Sequence, residues 1–168
     1  MAVPGKGSGP HMAGELFKAV AGVDMVTVQY RGDAPALSDL MGGQIQLCFS
    51  SLPAAIELIK AGKVRALATT AITRSDALPN LPTVSEFVHG YEASAFYGIG
   101  APKSTPSAII DRLSEAINST ISDHSVQTRL ADLGGTALAL SPSEFEKLIA
   151  DETDKWAKVI RSANIKLD

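Results

Sequence analysis

The sequence is short of sulfur, of aromatic rings and of surplus charge. One cysteine, Cys48, stands among 168 residues, which excludes an intrachain disulfide framework and any cysteine-rich metal site. It lies in the apolar run 45–49 and reads as a buried, inert thiol. No stretch approaches the roughly 18 consecutive apolar residues that span a bilayer. Residues 1–10 are rich in Gly and Pro and lack the apolar centre of an export signal. Lys and Arg number 15 against 18 Asp and Glu, a formal charge of −3, so the basic stripe of a nucleic-acid binder is missing. There is no block of like charges to act as an interaction tail. Taken alone, these absences describe a soluble cytoplasmic protein. Aromatics are only 5% of the chain while hydrophobic residues reach 45%. The core is therefore aliphatic, and large enough for one ordinary domain rather than a disordered chain.

What is present is an alternation of periods. Met12, Leu16, Phe17 and Val20 recur at helical spacing, with Gly22 as a stop. Residues 25–30 read as a strand, 31–35 as a turn, and Leu37, Leu40 and Met41 as the apolar face of a short helix ended by Gly42-Gly43. The unit repeats: strand 45–49, a helix from Ser50-Ser51-Leu52-Pro53 with Ile56 and Ile59 inward and Gly62 as its stop, then strand 64–71. This order predicts an α/β fold with a parallel sheet and right-handed crossovers. Residues 73–89, with Pro79 and Pro82, read as a loop. Strands are expected at 93–101 and 136–140. Helices are expected through Ile109–Ile121, through Val126–Leu133, and after the capping box Ser141-Pro142-Ser143-Glu144. The later helices have too few strands to bury against.

Three loops precede helices of this sheet: residues 5–9, residues 31–34 and Ser50-Ser51. Ligands of parallel α/β sheets bind outside the carboxyl ends of the strands, and helix N-termini favour anions. Glycines there allow close backbone approach and serines add hydroxyl donors, the equipment for a carboxylate or phosphate. The same residues also serve as plain turn chemistry. Gly5, Gly7 and Gly9 do not make a dinucleotide fingerprint, and no phosphate-loop GK[ST] follows. Ser8 with His11 suggests a nucleophile and base, with Asp33 as an orienting acid or simply a turn residue. Arg31 reads as a surface charge or ion pair sooner than an anion ligand, and Trp156 as core sooner than a binding platform.

The ordered motifs carry a resemblance. These are Gly7-Ser8-Gly9-Pro10-His11 with Glu15-Leu16-Phe17, Val28-Gln29-Tyr30-Arg31-Gly32 with Ala34-Pro35-Ala36, and Leu40-Met41-Gly42-Gly43-Gln44-Ile45. Further along come Ala61-Gly62-Lys63-Val64-Arg65-Ala66-Leu67-Ala68, Leu78-Pro79-Asn80-Leu81-Pro82-Thr83-Val84, Tyr97-Gly98, Ala101-Pro102 with Thr105-Pro106, and Trp156-Ala157-Lys158-Val159-Ile160. Together they resemble the extracytoplasmic solute receptors of tripartite tricarboxylate transporters, the Bug-type proteins. The resemblance spans essentially the whole chain. It implies a periplasmic-binding-protein-like protein that closes on a small carboxylate without catalysis or cofactor, and that delivers it to the membrane components of a transporter. Carried over position by position, the ligand contacts would be Gly7, Ser8 and His11 from the first loop, Gly32 and Ala34 from the second, and Ser50 from the third. An acidic residue is frequent in the family where Ser50 stands, and a tryptophan where Ala95-Phe96 stands. The resemblance also implies that the family's signal peptide and the first part of its first domain lie outside this chain. Residues 5–91 would then form one ligand-binding α/β domain and residues 92–168 the return into an incomplete one. The compartment implied is the periplasm. The exposed sheet edge would favour a homodimer. Two other readings stand beside the receptor: a non-binding remnant acting by self-association or through a protein partner, and a small serine hydrolase using Ser8 and His11.

Overall fold

Chain order in the computed structural model is β1 (Ala2–Val3), α1 (Gly9–Ala21), β2 (Val28–Gln29), α2 (Asp33–Met41), α3 (Leu52–Lys60), a single 3-10 turn at Val84–Glu86, α4 (Ser107–Ile121), α5 (His124–Asp132) and α6 (Pro142–Ser162). The structure describes residues 1–163 and Ile165, so the last few residues of the 92–168 segment lie outside the described residues.

Helix boundaries follow local chemistry. Ser8 caps α1, its side chain accepting from the His11 N–H, and Pro10 sits in the first turn. Gly22 ends the helix with φ 67°, a left-handed conformation that costs glycine little. Ser141 and Glu144 close the expected capping box of α6. Gly14, buried in α1, has a spacing reason. A Cβ there would lie 2.8 Å from the Met1 methyl and 3.2 Å from the Phe49 ring, so a bare backbone lets the helix approach the sheet.

The sheet is smaller than the alternation predicts. β1, which precedes Pro4 in the Gly/Pro-rich start, is its centre. It pairs in parallel with β2, Ala2 opposite Val28 and Val3 opposite Gln29. On its other side Ala2 bridges Cys48: the Ala2 N–H donates to Leu47 O at 2.7 Å and the Phe49 N–H to Ala2 O at 3.1 Å. The expected strand 45–49 is therefore an extended segment held at one residue, because β1 is too short to carry a longer ladder. Expected strand 25–30 shrinks to two residues for the same reason. Residues 64–71 make one parallel bridge, Thr69 with Thr83. Residues 93–101 and 136–140 run extended without forming strands. β-favouring side chains do not make a strand where no neighbouring backbone lies in register.

Two small apolar clusters organise the chain. Ala2, Ala36 and Ile45 form one under the sheet. Ala13, Tyr91 and Ala93 form the other, with Phe17, Phe49, Val84 and Trp156 packed around them. Tyr91 is 1% exposed and its hydroxyl donates to Ala13 O at 3.0 Å. The Phe17 ring meets it edge-on at 6.0 Å. Helix α6 joins this cluster through Trp156, and through Lys155, which pairs with Glu92 and with Glu152. Beyond the clusters much apolar surface is open: Tyr97 is 87% exposed and Ile99 70%. The chain exposes 10,954 Å², about 3,000 Å² more than a compact protein of its 17.5 kDa presents.

Candidate anion site at the carboxyl edge of the sheet

Because β1, β2 and the 47–49 segment run parallel, their carboxyl ends lie on one edge, and the three loops leave from there. The first loop continues β1. It is held by the Ser8 hydroxyl donating to Gly5 O at 2.8 Å and by the Ser8 N–H reaching the same carbonyl at 3.3 Å. Gly7 has φ 73°, in the left-handed region. Its N–H donates to His11 Nδ1 at 2.9 Å. His11, in the first turn of α1, is 5% exposed. With Nδ1 accepting, the neutral ring carries its proton on Nε2, which faces Glu15 Oε1 at 3.8 Å. Burial pushes the imidazole below its ordinary value, the Glu15 carboxylate pulls the other way, and Lys18 and Lys6 reinforce the lowering.

The second loop is tied to the first, since the Gly32 N–H donates to Pro4 O at 2.8 Å. Gly32 has φ 112° and precedes α2. Ala34 lies in the first turn of that helix, exposed. The third loop is tied to the second through Asp33. The Ser50 hydroxyl donates to Asp33 Oδ1 at 2.5 Å, the Ser51 N–H to the same oxygen at 3.1 Å, and the Ser51 hydroxyl to Oδ2 at 2.9 Å. The Cys48 thiol beside them is pushed up to about 11 by burial and then by the Asp33 carboxylate.

The six residues carried over from the resemblance lie on the three loops of this edge (Gly7, Ser8, Gly32 and Ser50) or in the first helical turn that follows (His11 and Ala34). Their roles differ. Gly7, Ser8, Gly32 and Ala34 shape helix entries. His11 fastens the first loop from below. The Ser50 hydroxyl is already engaged by Asp33. Sequence reasoning left Asp33 as a turn residue or a triad acid; its cross-link spans 17 residues in sequence and leaves no local signature beyond an acid at a helix start facing a Ser-Ser pair. The nucleophile-and-base pairing of Ser8 with His11 is not made. The Ser8 hydroxyl holds Gly5 O and the His11 N–H, and His11 Nδ1 holds the Gly7 N–H. Among the described residues no three His, Cys, Asp or Glu gather as metal ligands.

Gly9 and Pro10 at the start of α1 and Ser50 and Ser51 of the third loop line a cleft of about 1740 Å³ together with Phe96, Leu138 and Phe145; of the six carried-over residues only Ser50 lines it. That exceeds the roughly 300–1,000 Å³ of a small-molecule site, so the cleft is a larger open face.

Comparison with known proteins gives one consistent neighbourhood. The structure of R. palustris Rpa4515 with adipate superposes with a TM-score of 0.90 at 35% identity, covering 98% of this chain and 55% of that one. The periplasmic binding protein BugD gives 0.85 at 29%, covering 99% and 57%. MatC (Rpa3494) from Rhodopseudomonas palustris with bound malate gives 0.79 at 29%, covering 95% and 56%. The chain spans about half the length of these proteins. They confirm a partial periplasmic-binding-protein-like α/β fold. Residues 1–165 match the family described as tripartite tricarboxylate transporter family receptor, TctC, a periplasmic family of transport receptors rather than enzymes. The chain belongs to the tripartite tricarboxylate transporter receptor family.

Proposed function

We propose that this chain is a solute-binding receptor, or the half of one, that captures a small carboxylate at the carboxyl edge of its sheet for a tripartite tricarboxylate-type transporter in the periplasm. The observation that carries the reading is the joining of the three loops. The bond from Gly32 N–H to Pro4 O ties the first two, and the Asp33 carboxylate joins the second to Ser50 and Ser51. The anion would lie against the N-termini of α1 and α2, whose helix dipoles supply positive potential. This suits a chain with no basic excess. Adipate and malate in the solved relatives support a carboxylate as the ligand class. In this reading residues 5–91 are the ligand-binding domain and residues 92–168 belong to a second one. Isothermal titration of the chain against dicarboxylates, tricarboxylates and amino acids tests it. Saturable binding of a carboxylate supports the receptor, and a flat response to the whole panel removes it for this chain.

One observation favours a second reading, association through the open face. Tyr97, Ile99 and Leu138 are each more than half exposed in segments outside any helix or strand, where a second copy could cover them. Light scattering separates the two: a monomer at all concentrations rejects self-association.

A further inference from the structure

His11 is a buried titratable group whose one accepting atom is engaged by the backbone. It is 5% exposed, and its Nδ1 takes the Gly7 N–H at 2.9 Å. Nε2, which carries the proton of the neutral ring, faces Glu15 Oε1 at 3.8 Å. The residue borders a pocket of about 390 Å³. Among the described residues the charged groups around the ring are Glu15 and Lys18 of α1 and Lys6 of the first loop. β2 contributes the Gln29 amide, and the end of α6 the apolar Ala163 and Ile165. Glu15 is itself anchored, holding Lys18 at 3.0 Å and the Thr27 hydroxyl at 2.8 Å, so a counter-charge for a protonated ring is fixed in place.

A second proton can add only at Nδ1. The imidazolium then has donors on both nitrogens, and a flip of the ring does not restore an acceptor. The Gly7 N–H would face another N–H, so its bond cannot survive. The rest of the loop's fastening does not involve the ring: the Ser8 hydroxyl donates to Gly5 O and accepts from the His11 backbone N–H at either charge. Gly7 lies at φ 73°, and glycine leaves that conformation at little cost, so the Lys6–Gly7 peptide can turn without unwinding α1.

We infer that His11 is a proton-operated latch on the first loop: the neutral ring holds the Gly7 N–H, and the imidazolium releases the Lys6–Gly7 peptide while the rest of the fold stands. The latch depends on these bonds alone and stands apart from the receptor reading. Burial lowers the ring's proton affinity, the Glu15 carboxylate raises it, and Lys18 and Lys6 add to the lowering, so release belongs to acid conditions below the ordinary histidine range.

Nuclear magnetic resonance of the isotopically labelled full chain, followed from pH 7 downward, tests it, with circular dichroism marking where the chain unfolds. The nitrogen–nitrogen coupling across the Gly7–His11 bond is expected at pH 7 and should vanish as the His11 ring titrates. Protection of the Gly7 amide against exchange should fall about fivefold over the same step, the loss of one neutral hydrogen bond, while the amides of α1 keep theirs. His11→Asn, which keeps an acceptor that does not titrate, should hold the Gly7 amide equally at every pH. Glu15→Gln removes the counter-charge and should move the step to lower pH. A Gly7 amide indifferent to the titration of His11 overturns the latch. So does the same step in His11→Asn, or a ring that stays neutral until the whole chain unfolds. Should His11→Asn not fold, Glu15→Gln decides: a Gly7 step that moves down with the His11 titration supports the latch, and one that stays where it was overturns it.

Discussion

Replacing His11 by alanine tests how the first loop is held. The imidazole is 5% exposed and its Nδ1 is the acceptor for the Gly7 N–H at 2.9 Å. Losing one neutral hydrogen bond costs about 1 kcal/mol. Emptying the space of a buried ring beside Met12 and Ala13 adds about 1–2 kcal/mol, so the total is about 2–3 kcal/mol. At this chain length each kcal/mol moves the melting temperature by about 2–4 °C, which gives a fall of about 4–12 °C by circular dichroism. His11→Asn supplies the discriminating arm. Its side-chain carbonyl occupies the place of Nδ1, so it should recover about 1 kcal/mol of the loss. A His11→Ala melt within about 1 °C of the natural chain, or an asparagine no better than alanine, refutes the account of His11 as the loop's acceptor.

Three further outcomes follow from the structure. Burial holds the His11 imidazole below its ordinary 6.5 against the pull of Glu15, with Lys18 and Lys6 assisting; the unfolded chain therefore binds the extra proton first. The stability it contributes is complete above about pH 6.5 and is lost as pH falls through the lower folded value. Melts from pH 7 to pH 5 should show a decline that His11→Asn lacks. Tyr91→Phe removes only the bond to Ala13 O, whose helical partner remains, and should cost at most about 1 kcal/mol. Tyr91→Ala opens the second cluster and should cost about 3–5 kcal/mol by denaturant unfolding. With its thiol pushed up to about 11, Cys48 should alkylate at pH 8 about a hundredfold more slowly in the native chain than in denaturant. Equal rates would contradict its surroundings.

What the residues make legible is largely what neighbours in sequence decide. The Gly22 stop and the Ser141–Glu144 box are each settled within four residues, and each stands where the pattern puts it. Strands are settled by a distant partner. Residues 93–101 carry Phe96, Tyr97 and Ile99, a strong β composition, yet lie extended with no ladder. Ala2–Val3, two residues before a proline, is the strand both neighbours need. The site divides the same way. Its three loops are visible as glycines and serines before helices. The Gly32–Pro4 bond and the Asp33 cross-link join residues more than a dozen apart in sequence, and only the fold brings them together. His11 shows both sides: its place at a helix start is readable, while its reach back to Gly7 depends on the left-handed turn between them.

The central claim is that one sheet edge gathers these loops into a single carboxylate site. Amide chemical shifts of the isotopically labelled chain, followed while malate is added, test it most directly. The account predicts that the N–H signals of Gly7, Ser8, Gly32, Ala34 and Ser51 move together along one saturable curve, with those of α4 and α5 unmoved. Saturable shifts centred on α4 and α5, or no saturable shift at the three loops with any carboxylate, would contradict it.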